Sequence, residues 1–289
     1  MSTSSYKPAR ITDLPYSDLH CHSYCSDGEL SPEQLVQNAL ENGLKVLAIT
    51  DHDSVAGIER AVSAANGTEL KIITGTELTC LWGKRVVHII GLGFDFKNEA
   101  LMDYLDRLVI LRNKRAEIIA EKLQKKGCPD LLLSATQLAE EGQVGRPHFA
   151  RAMVEAGIVN AENQAFNQYL GAGKVGDVKV EWPDMAEGIR CINSAGGVAV
   201  LAHPTKYNLT FTKIRLLLEQ FVADGGKGIE ISYPGASVGH INQLDRIAVK
   251  HELYISAGSD FHKSSFHWTG LGKYPRYQNN APHVLQTLL

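Results

Sequence analysis

The sequence predicts an α/β fold in which helices alternate with the strands of a parallel barrel that is distorted or short of eight units. Three observations support this prediction. Short apolar runs typical of buried strands recur along the chain, helical stretches separate several of them, and polar residues follow these runs. In barrel enzymes, the C-terminal ends of the strands carry the functional groups. We therefore expect the functional site at that end of the barrel.

The first predicted strand delivers two histidines to one face. His20 and His22 stand two residues apart near its end, and residues i and i+2 of a strand point to the same side. Asp27 follows five residues later and adds a hard oxygen ligand. Residues 31–43 are then predicted as a helix capped by Ser31. This first strand–helix unit therefore contains residue types suited to a metal ion.

The later strands also end in polar groups. They are predicted at residues 45–50, 70–73, 85–90, 197–202, 228–231 and 253–256. The strand over 85–90 is expected to form a hairpin with residues around 78–82. Because helical segments such as 54–65 alternate with the strands, the sheet is expected to be parallel.

The alternation stops between about residues 96 and 180. Residues 101–123 are spaced like one long amphipathic helix, and further helical segments fill 132–170. We interpret 96–180 as a helical insertion over the mouth of a barrel formed by 14–95 and 181–289. The basic residues of the long helix are predicted to form a solvated face, with nucleic-acid contact as the alternative: Arg107, Arg112, Lys114, Arg115, Lys122, Lys125 and Lys126.

Composition limits the function classes. The formal net charge of −3 argues against a protein that coats long duplex nucleic acid, but it allows a local basic pocket. We expect neither a signal peptide nor a membrane span, because no apolar run of about 18 residues occurs. The five cysteines contain no C-x-x-C pair, which favours free thiols in a reducing cytoplasm. Metal-binding thiolates at Cys21 and Cys25 are the alternative.

The polar groups at the strand ends together have the chemistry of a metal site. They comprise six of the eleven histidines and three carboxylates: His20, His22, Asp27, His52, Glu77, His88, His203, Asp260 and His262. A single histidine at a strand end is usually a hydrogen-bonded structural residue. A converging set of imidazoles and carboxylates would be costly to bury without an ion. Nitrogen and oxygen ligands suit Mn²⁺, which we place first, and also Fe²⁺ or Zn²⁺.

Six motifs along the chain have a specific spacing and order. They are Asp18-Leu-His-Cys-His22, Ser26-Asp-Gly28, Ile49-Thr-Asp-His-Asp53, Gly75-Thr-Glu77, Ala202-His-Pro204 and Gly258-Ser-Asp-Phe-His262. Together they resemble the motifs of the PHP (polymerase and histidinol phosphatase) family over nearly the full chain. The chain is most similar to the TrpH/RNase AM branch, which includes 3′,5′-nucleoside bisphosphate phosphatases. That branch has a helical insertion in the same place, with a segment like Gly145-Arg-Pro-His-Phe-Ala-Arg151.

The resemblance implies a distorted seven-unit barrel with a centre of two to three divalent metal ions. It divides the nine candidate ligands into three sets, one for each ion: His20, His22, Glu77 and Asp260; Glu77, as a bridge, with His88 and His203; and Asp27, His52 and His262. Asp53 would form a hydrogen bond to a ligating imidazole and orient it.

The chemistry that this centre implies is phosphate ester hydrolysis. Two metal ions about 3.5–4 Å apart can activate a hydroxide and stabilise both oxygens of an in-line displacement at phosphorus. No catalytic side chain beyond this hydroxide is assigned. Candidates for holding the substrate are Arg146 and His148 in the insertion, Lys174, and Tyr207 with Lys206 at the lip of the site. The alternative for Arg146 and His148 is that they simply begin a helix.

We expect a phosphoesterase that removes the 3′-phosphate from a nucleoside 3′,5′-bisphosphate. The first alternative is a 5′→3′ exoribonuclease that cleaves short 5′-phosphorylated RNA at the same 3′ oxygen. An enclosed pocket would favour the mononucleotide, and an open groove would favour the oligomer. A histidinol-phosphatase-like enzyme and a non-catalytic metal-binding module are less favoured. The sequence leaves open the native metal, the base preference, the oligomeric state and the group that protonates the leaving oxygen.

Overall fold

The computed structural model describes residues 10–264 and 270–289. Seven strands form one sheet in chain order: β1 (Ser17–Cys21), β2 (Val46–Ile49), β3 (Lys71–Trp82), β4 (Arg85–Leu92), β5 (Val198–Leu201), β6 (Gly228–Ser232) and β7 (Tyr254–Ala257). Just beyond β7, Phe261 forms a parallel bridge to Cys21, and its carbonyl accepts a hydrogen bond of 2.8 Å from His22 N. This contact nearly closes the sheet into a barrel. The predicted α/β barrel of seven strands is confirmed.

One strand departs from the predicted parallel arrangement. β4 runs antiparallel to both β3 and β5, while the other neighbouring strands are parallel. The reason is that the two-residue turn Gly83-Lys84 joins β3 directly to β4 without a crossover helix. Residues 78–82 are not a separate strand, because β3 continues through Glu77 to Trp82. The predicted hairpin of 85–90 with residues around 78–82 is confirmed, while the expectation of a parallel sheet does not hold for the two pairs that β4 forms.

Helices cover the outside of the barrel and fill the segment between β4 and β5. They are α1 (Pro32–Glu41), α2 (Ile58–Ala65), α3 (Glu99–Gln124), α4 (Leu132–Leu138), α5 (Arg146–Glu155), α6 (Glu162–Ala165), α7 (Met185–Ser194), α8 (Phe211–Ala223), α9 (Val238–Lys250) and α10 (Leu285–Leu288). Ser31 forms the predicted capping box with Gln34 at the start of α1. Within the described residues, no helix combines the length and apolar character needed to cross a membrane.

The helices between β4 and β5 pack around an apolar core of their own. Leu123, Phe149 and Met153 are fully buried in this core. The N-terminal half of α3 packs instead against the barrel helices, where Tyr104 and Leu108 are buried. α3 therefore belongs to both cores and fixes the helical segment over one end of the barrel. The insertion boundaries at 96 and 180 stay a prediction.

A buried ion pair strengthens this connection. Arg112 on α3 donates through Nε to Asp53 Oδ2 at 2.7 Å and through Nη2 to Thr79 Oγ1 at 3.1 Å. The other carboxylate oxygen of Asp53 accepts a hydrogen bond of 2.6 Å from Thr79 N. Arg112 is only 9% exposed. The prediction of a solvated face was therefore wrong for Arg112, because its guanidinium is the counterion of a carboxylate inside the barrel.

Arg112→Met should destabilise the protein by about 3 kcal/mol, because it leaves the Asp53 carboxylate buried without its cation. Urea unfolding measures this loss. The matched control is Arg107→Met on the same helix, since Arg107 pairs with Glu187 at the surface and should contribute less than about 1 kcal/mol. Equal losses in the two variants would contradict the special role of the buried pair.

Candidate metal centre

The mouth of the barrel brings all nine predicted ligand residues together. Most of them lie at or just beyond the C-terminal ends of strands, and His88 reaches the same place from within the antiparallel strand β4. Two of them, His203 and Asp260, have positive φ angles of 25° and 46°. This backbone region is unfavourable for residues other than glycine, and such strain is concentrated at functional sites.

Glu77 lies at the centre of the cluster and is 0% exposed. Its Oε1 is 3.0 Å from both His88 Nδ1 and His203 Nε2. Its Oε2 is 3.0 Å from His52 Nδ1. The Nε2 atoms of His20 and His22 are each 3.4 Å from the same oxygen. One carboxylate is therefore surrounded by five imidazole rings.

Two further carboxylates complete the cluster. Asp260 Oδ1 lies 3.5 Å from His20 Nε2 and 3.4 Å from His22 Nε2. Asp27 Oδ1 lies 3.3 Å from His262 Nε2. The candidate ligand atoms form four overlapping groups, in each of which the atoms lie within 4.8 Å of one another: His20, His22 and Asp260; His20, Glu77 and His203; His52, Glu77 and His88; and His22, Asp27, His52 and His262.

These residues fit divalent metal ions in both geometry and chemistry. Two ligands that are each about 2.1 Å from one ion lie about 3.0–3.4 Å apart at octahedral or tetrahedral angles, which matches the separations around Glu77. Several buried polar atoms of the cluster have no hydrogen-bond partner among the described residues: His20 Nε2, His22 Nδ1 and Nε2, Asp27 Oδ1, His52 Nδ1, Glu77 Oε2 and His203 Nδ1. Buried polar atoms normally have partners, so this pattern supports a site for ions.

The electrostatics of the cluster favour cation binding. Burial opposes ionisation of Glu77, but the surrounding imidazoles, His88 foremost, hold its pKa well below the usual value. Burial lowers the pKa of His52 and so keeps that ring neutral, the form that binds metals. His262 differs: although burial disfavours its charged form, Asp27 and Asp260 raise its pKa to about 9. An ion bound at His262 would have to displace this proton.

Asp51 and Asp53, on either side of His52, hold the backbone around it. Asp51 accepts hydrogen bonds from Ser23 N and Ser26 Oγ, both at 2.7 Å, and thereby fixes the loop that carries Asp27. Asp53 was predicted to orient a ligating imidazole. In the structure, its carboxylate instead accepts hydrogen bonds from Arg112 Nε and Thr79 N.

Glu230 is a supporting residue whose role the sequence did not reveal. It is 0% exposed in the middle of β6. Its Oε1 lies 3.0 Å from His20 Nδ1, and its Oε2 accepts a hydrogen bond of 2.7 Å from His203 N. Since a carboxylate oxygen can only accept, His20 donates through Nδ1 and presents the lone pair of Nε2 to the cluster. A carboxylate between the two isoleucines of this short predicted strand was the available signal.

A cavity of about 1330 Å³ adjoins the cluster and is bounded on one side by the insertion. The guanidinium groups of Arg112, Arg115 and Arg146 line it, together with Trp182. Arg112 and Arg115 lie over the Trp182 ring, at 5.6 and 6.0 Å from its centroid. Arg115 was predicted on a solvated helix face, with nucleic-acid contact as the alternative; the structure places it half-buried beside Arg112, three residues away on the same helix face.

The five candidate substrate residues occupy different positions. Lys206 lines the cavity and pairs through Nζ with Asp260 Oδ2. Arg146 lines the cavity. His148 is buried, and its Nδ1 accepts a hydrogen bond from Gly145 N at the start of α5, which agrees with the structural alternative for this residue. Lys174 is exposed and does not line the cavity. Tyr207 lines it, but its hydroxyl accepts from His88 N at 2.9 Å and donates to Ala202 O at 2.8 Å.

A nearly closed seven-stranded barrel with imidazoles and carboxylates gathered at its mouth defines a metal-dependent phosphoesterase. The PHP domain model matches residues 18–234, which is most of the chain. The chain therefore belongs to the PHP domain family.

Several known proteins resemble this chain over nearly its full length. It is 44% identical to a protein of Haemophilus influenzae named 5′-3′ exoribonuclease, over 89% of this chain and 93% of the relative. It is 36% identical to a 3′,5′-nucleoside bisphosphate phosphatase of Chromobacterium violaceum, over 85% of this chain and 86% of the relative. A solved structure described as an amidohydrolase from Chromobacterium violaceum with bound sulfate covers 94% of this chain and 95% of its own, with 33% identity and a TM-score of 0.88.

Adding Mn²⁺ to the chelator-treated protein should raise its melting temperature by about 5 °C, because an ion that binds only the folded state stabilises that state. Differential scanning fluorimetry measures the shift. His22→Ala should reduce the shift, whereas His240→Ala on α9, outside the cluster, should leave it intact. If none of Mn²⁺, Fe²⁺ and Zn²⁺ changed the melting temperature of the wild-type protein, the result would contradict a metal centre.

Glu230→Gln should weaken metal binding about tenfold while the fold is retained. Glutamine has a single oxygen, so it cannot accept from both His20 Nδ1 and His203 N. Competition with a chelating dye measures the affinity, and circular dichroism checks the fold. Glu219→Gln, at an exposed position on α8, is the control. An affinity equal to that of the control would show that Glu230 does not position the ligands.

Proposed function

We propose that this protein is a phosphoesterase, with Mn²⁺ as its first-choice metal, that removes the 3′-phosphate from nucleoside 3′,5′-bisphosphates. The observation that carries this proposal is a pair of arginines, Arg115 and Arg146, in the cavity beside the metal centre. A substrate with two phosphates can bind one at the arginines and present the other to the cluster. The proposed ligands are the nine residues of the cluster.

The two arginines form a site that lacks sufficient negative charge. Burial, together with the neighbouring guanidinium groups of Arg146 and Arg112, lowers the pKa of Arg115 to about 10. Burial also lowers the pKa of Arg146. Asp177 is the carboxylate close to Arg146, at 4.0 Å from Nη1, and Arg112 is already neutralised by Asp53. A phosphate would supply the missing charge and accept the planar pairs of hydrogen bonds that guanidinium groups donate.

The side chains of the protein hold and orient the substrate during the reaction. Arg115 donates to Val178 O and Arg146 donates to Leu170 O, so both guanidinium groups are fixed before substrate binds. Trp182, which lies against the guanidinium groups of Arg112 and Arg115, provides a flat apolar surface beside the 5′-phosphate subsite. When bound, the metal ions supply Lewis acidity and an activated water at the scissile phosphorus. The leaving group is the 3′ oxygen of the nucleoside.

A 5′→3′ exoribonuclease is the second candidate, and the size of the cavity favours it. The same arrangement would bind the 5′-phosphate of an RNA and release its first nucleotide by cleavage at the same 3′ oxygen. The volume of about 1330 Å³ exceeds the roughly 300–1,000 Å³ of common small-molecule pockets. The similarity to relatives named exoribonuclease and bisphosphate phosphatase supports both candidates.

We also propose a reducing compartment such as the cytoplasm, because all five cysteines are free.

Arg146→Ala should reduce kcat/KM for a nucleoside 3′,5′-bisphosphate at least tenfold, because it removes a charge-assisted contact to the 5′-phosphate. The same variant should change kcat/KM much less for a nucleoside 3′-monophosphate, which lacks that group. Arg190→Ala, at an exposed position on α7, serves as the control for both substrates. Phosphate release and nucleotide release are measured with the Mn²⁺-loaded proteins.

If wild-type protein hydrolysed neither the bisphosphate nor 5′-phosphorylated RNA, both candidate functions would be lost. If Arg146→Ala affected both substrates equally, the 5′-phosphate subsite would be placed wrongly.

A further inference from the structure

The β3–β4 hairpin extends beyond the strand ends that carry the metal cluster. Glu77 forms a bridge with His52 at the barrel mouth, and β3 continues for five residues past Glu77 before the chain turns. We call residues 82–86 the hairpin tip. All five line the same cavity as the arginines and the cluster. The metal centre explains why Glu77 and His88 are in this hairpin, but it does not explain the tip.

The hairpin is held rigidly on both edges. On the β3 edge, Thr79 Oγ1 accepts a hydrogen bond from Arg112 on the insertion. On the β4 edge, Arg85 donates to Tyr207 O at 2.7 Å, and Tyr207 follows the candidate ligand His203 in a short 3₁₀ helix. The insertion arginines and the 3₁₀ helix are therefore held against opposite edges of the hairpin, with His88 between them.

The hairpin tip has the chemistry of a surface for single-stranded nucleic acid. Lys84 is exposed at the turn, and the ion pairs of the described residues include none to it. Val86 is 41% exposed, and Trp82 lines the cavity with part of its ring surface. A positive charge next to exposed apolar and aromatic surface binds a phosphodiester backbone and stacks its bases without reading their sequence.

We propose that the hairpin tip binds the nucleotides on the 3′ side of the scissile phosphate in a single-stranded RNA substrate, with Lys84 on a downstream phosphate and Trp82 stacking a base. This inference rests on the proposed function, because the arginine pair must hold the 5′-phosphate at the other end. A nucleoside bisphosphate ends at the scissile phosphate and does not reach the tip. The tip therefore discriminates between RNA and mononucleotide.

Kinetics on two substrates test this assignment. With 5′-phosphorylated oligoribonucleotides of two to five nucleotides, Lys84→Ala and Trp82→Ala should each lower kcat/KM at least about fivefold, while Trp82→Phe retains most of it. With the nucleoside 3′,5′-bisphosphate, Lys84→Ala should match the wild type. Lys126→Ala, at an exposed position just beyond the end of α3, is the control for charge alone.

Binding provides a readout that does not require hydrolysis. Fluorescence anisotropy measures the binding of a 5′-phosphorylated, 3′-labelled pentaribonucleotide to chelator-treated protein at several salt concentrations. Lys84→Ala should weaken binding and reduce the slope of log K against log salt by about 0.7, the value for one phosphate contact to a single strand. Lys126→Ala should leave affinity and slope unchanged.

The outcomes separate the two proposals. If wild-type protein cleaves RNA while the Lys84 and Trp82 variants behave like the wild type in both assays, the proposed role of the hairpin tip is overturned and the proposed function stands. If the wild type hydrolyses neither substrate, the proposed function fails, and the anisotropy result alone decides whether the tip binds RNA. Equal loss on RNA and bisphosphate in Lys84→Ala would also overturn the assignment, because it would indicate general damage to the site.

Discussion

The burial of the Glu77 carboxylate among imidazole rings is the constraint on which the rest of this structure depends. A fully buried carboxylate is costly unless nearby groups compensate for its lost hydration. Here the compensation comes from residues that are distant in sequence and can surround one point only in a nearly closed barrel: His20, His22, His52, His88 and His203. The closing of the barrel, which brings these imidazoles around the Glu77 carboxylate, therefore also assembles the candidate metal centre.

Three buried carboxylates outside the candidate ligand set, those of Asp51, Asp53 and Glu230, hold this arrangement in place. Each of them is buried and bonds to the backbone near a candidate ligand: Asp51 holds the loop before Asp27, and Glu230 holds the amide of His203. Main-chain contacts of this kind fix the position of a ligand without competing for its coordinating atom. Asp53 extends the same principle to the insertion, because its partner Arg112 fixes α3 over the mouth of the barrel.

Sequence periodicity and motif order were sufficient to predict the barrel and the convergence of the nine candidate ligands at its mouth, because parallel strands necessarily place their C-terminal ends together. The hairpin that β4 forms with β3 was predicted, but its antiparallel pairing with β5 was not, since a short apolar strand has the same pattern in either direction. Arg112 illustrates a second limit of the sequence. Its spacing shows which face of the helix it lies on, but not whether solvent or another part of the protein covers that face. Glu230 illustrates a third limit, because a carboxylate within a buried strand can be either a candidate ligand, like Glu77, or a residue that supports one.

The proposed function assigns two substrate classes to one site, and the chemistry that the two classes share makes this consistent. A bisphosphate and a 5′-phosphorylated RNA are identical from the 5′-phosphate to the scissile phosphorus, and the bond that breaks is the same in both. In the proposed function, anchoring of the 5′-phosphate at Arg115 and Arg146 therefore measures one nucleotide length from the 5′ end in either substrate. The two classes differ only on the 3′ side of the scissile phosphorus: a terminal phosphate needs nothing beyond the metal centre, whereas an RNA chain must cross the rim of the barrel. The rim beside His88 is the β3–β4 hairpin, so the proposed role of the hairpin tip places the preference between the two classes there and not at the candidate ligands.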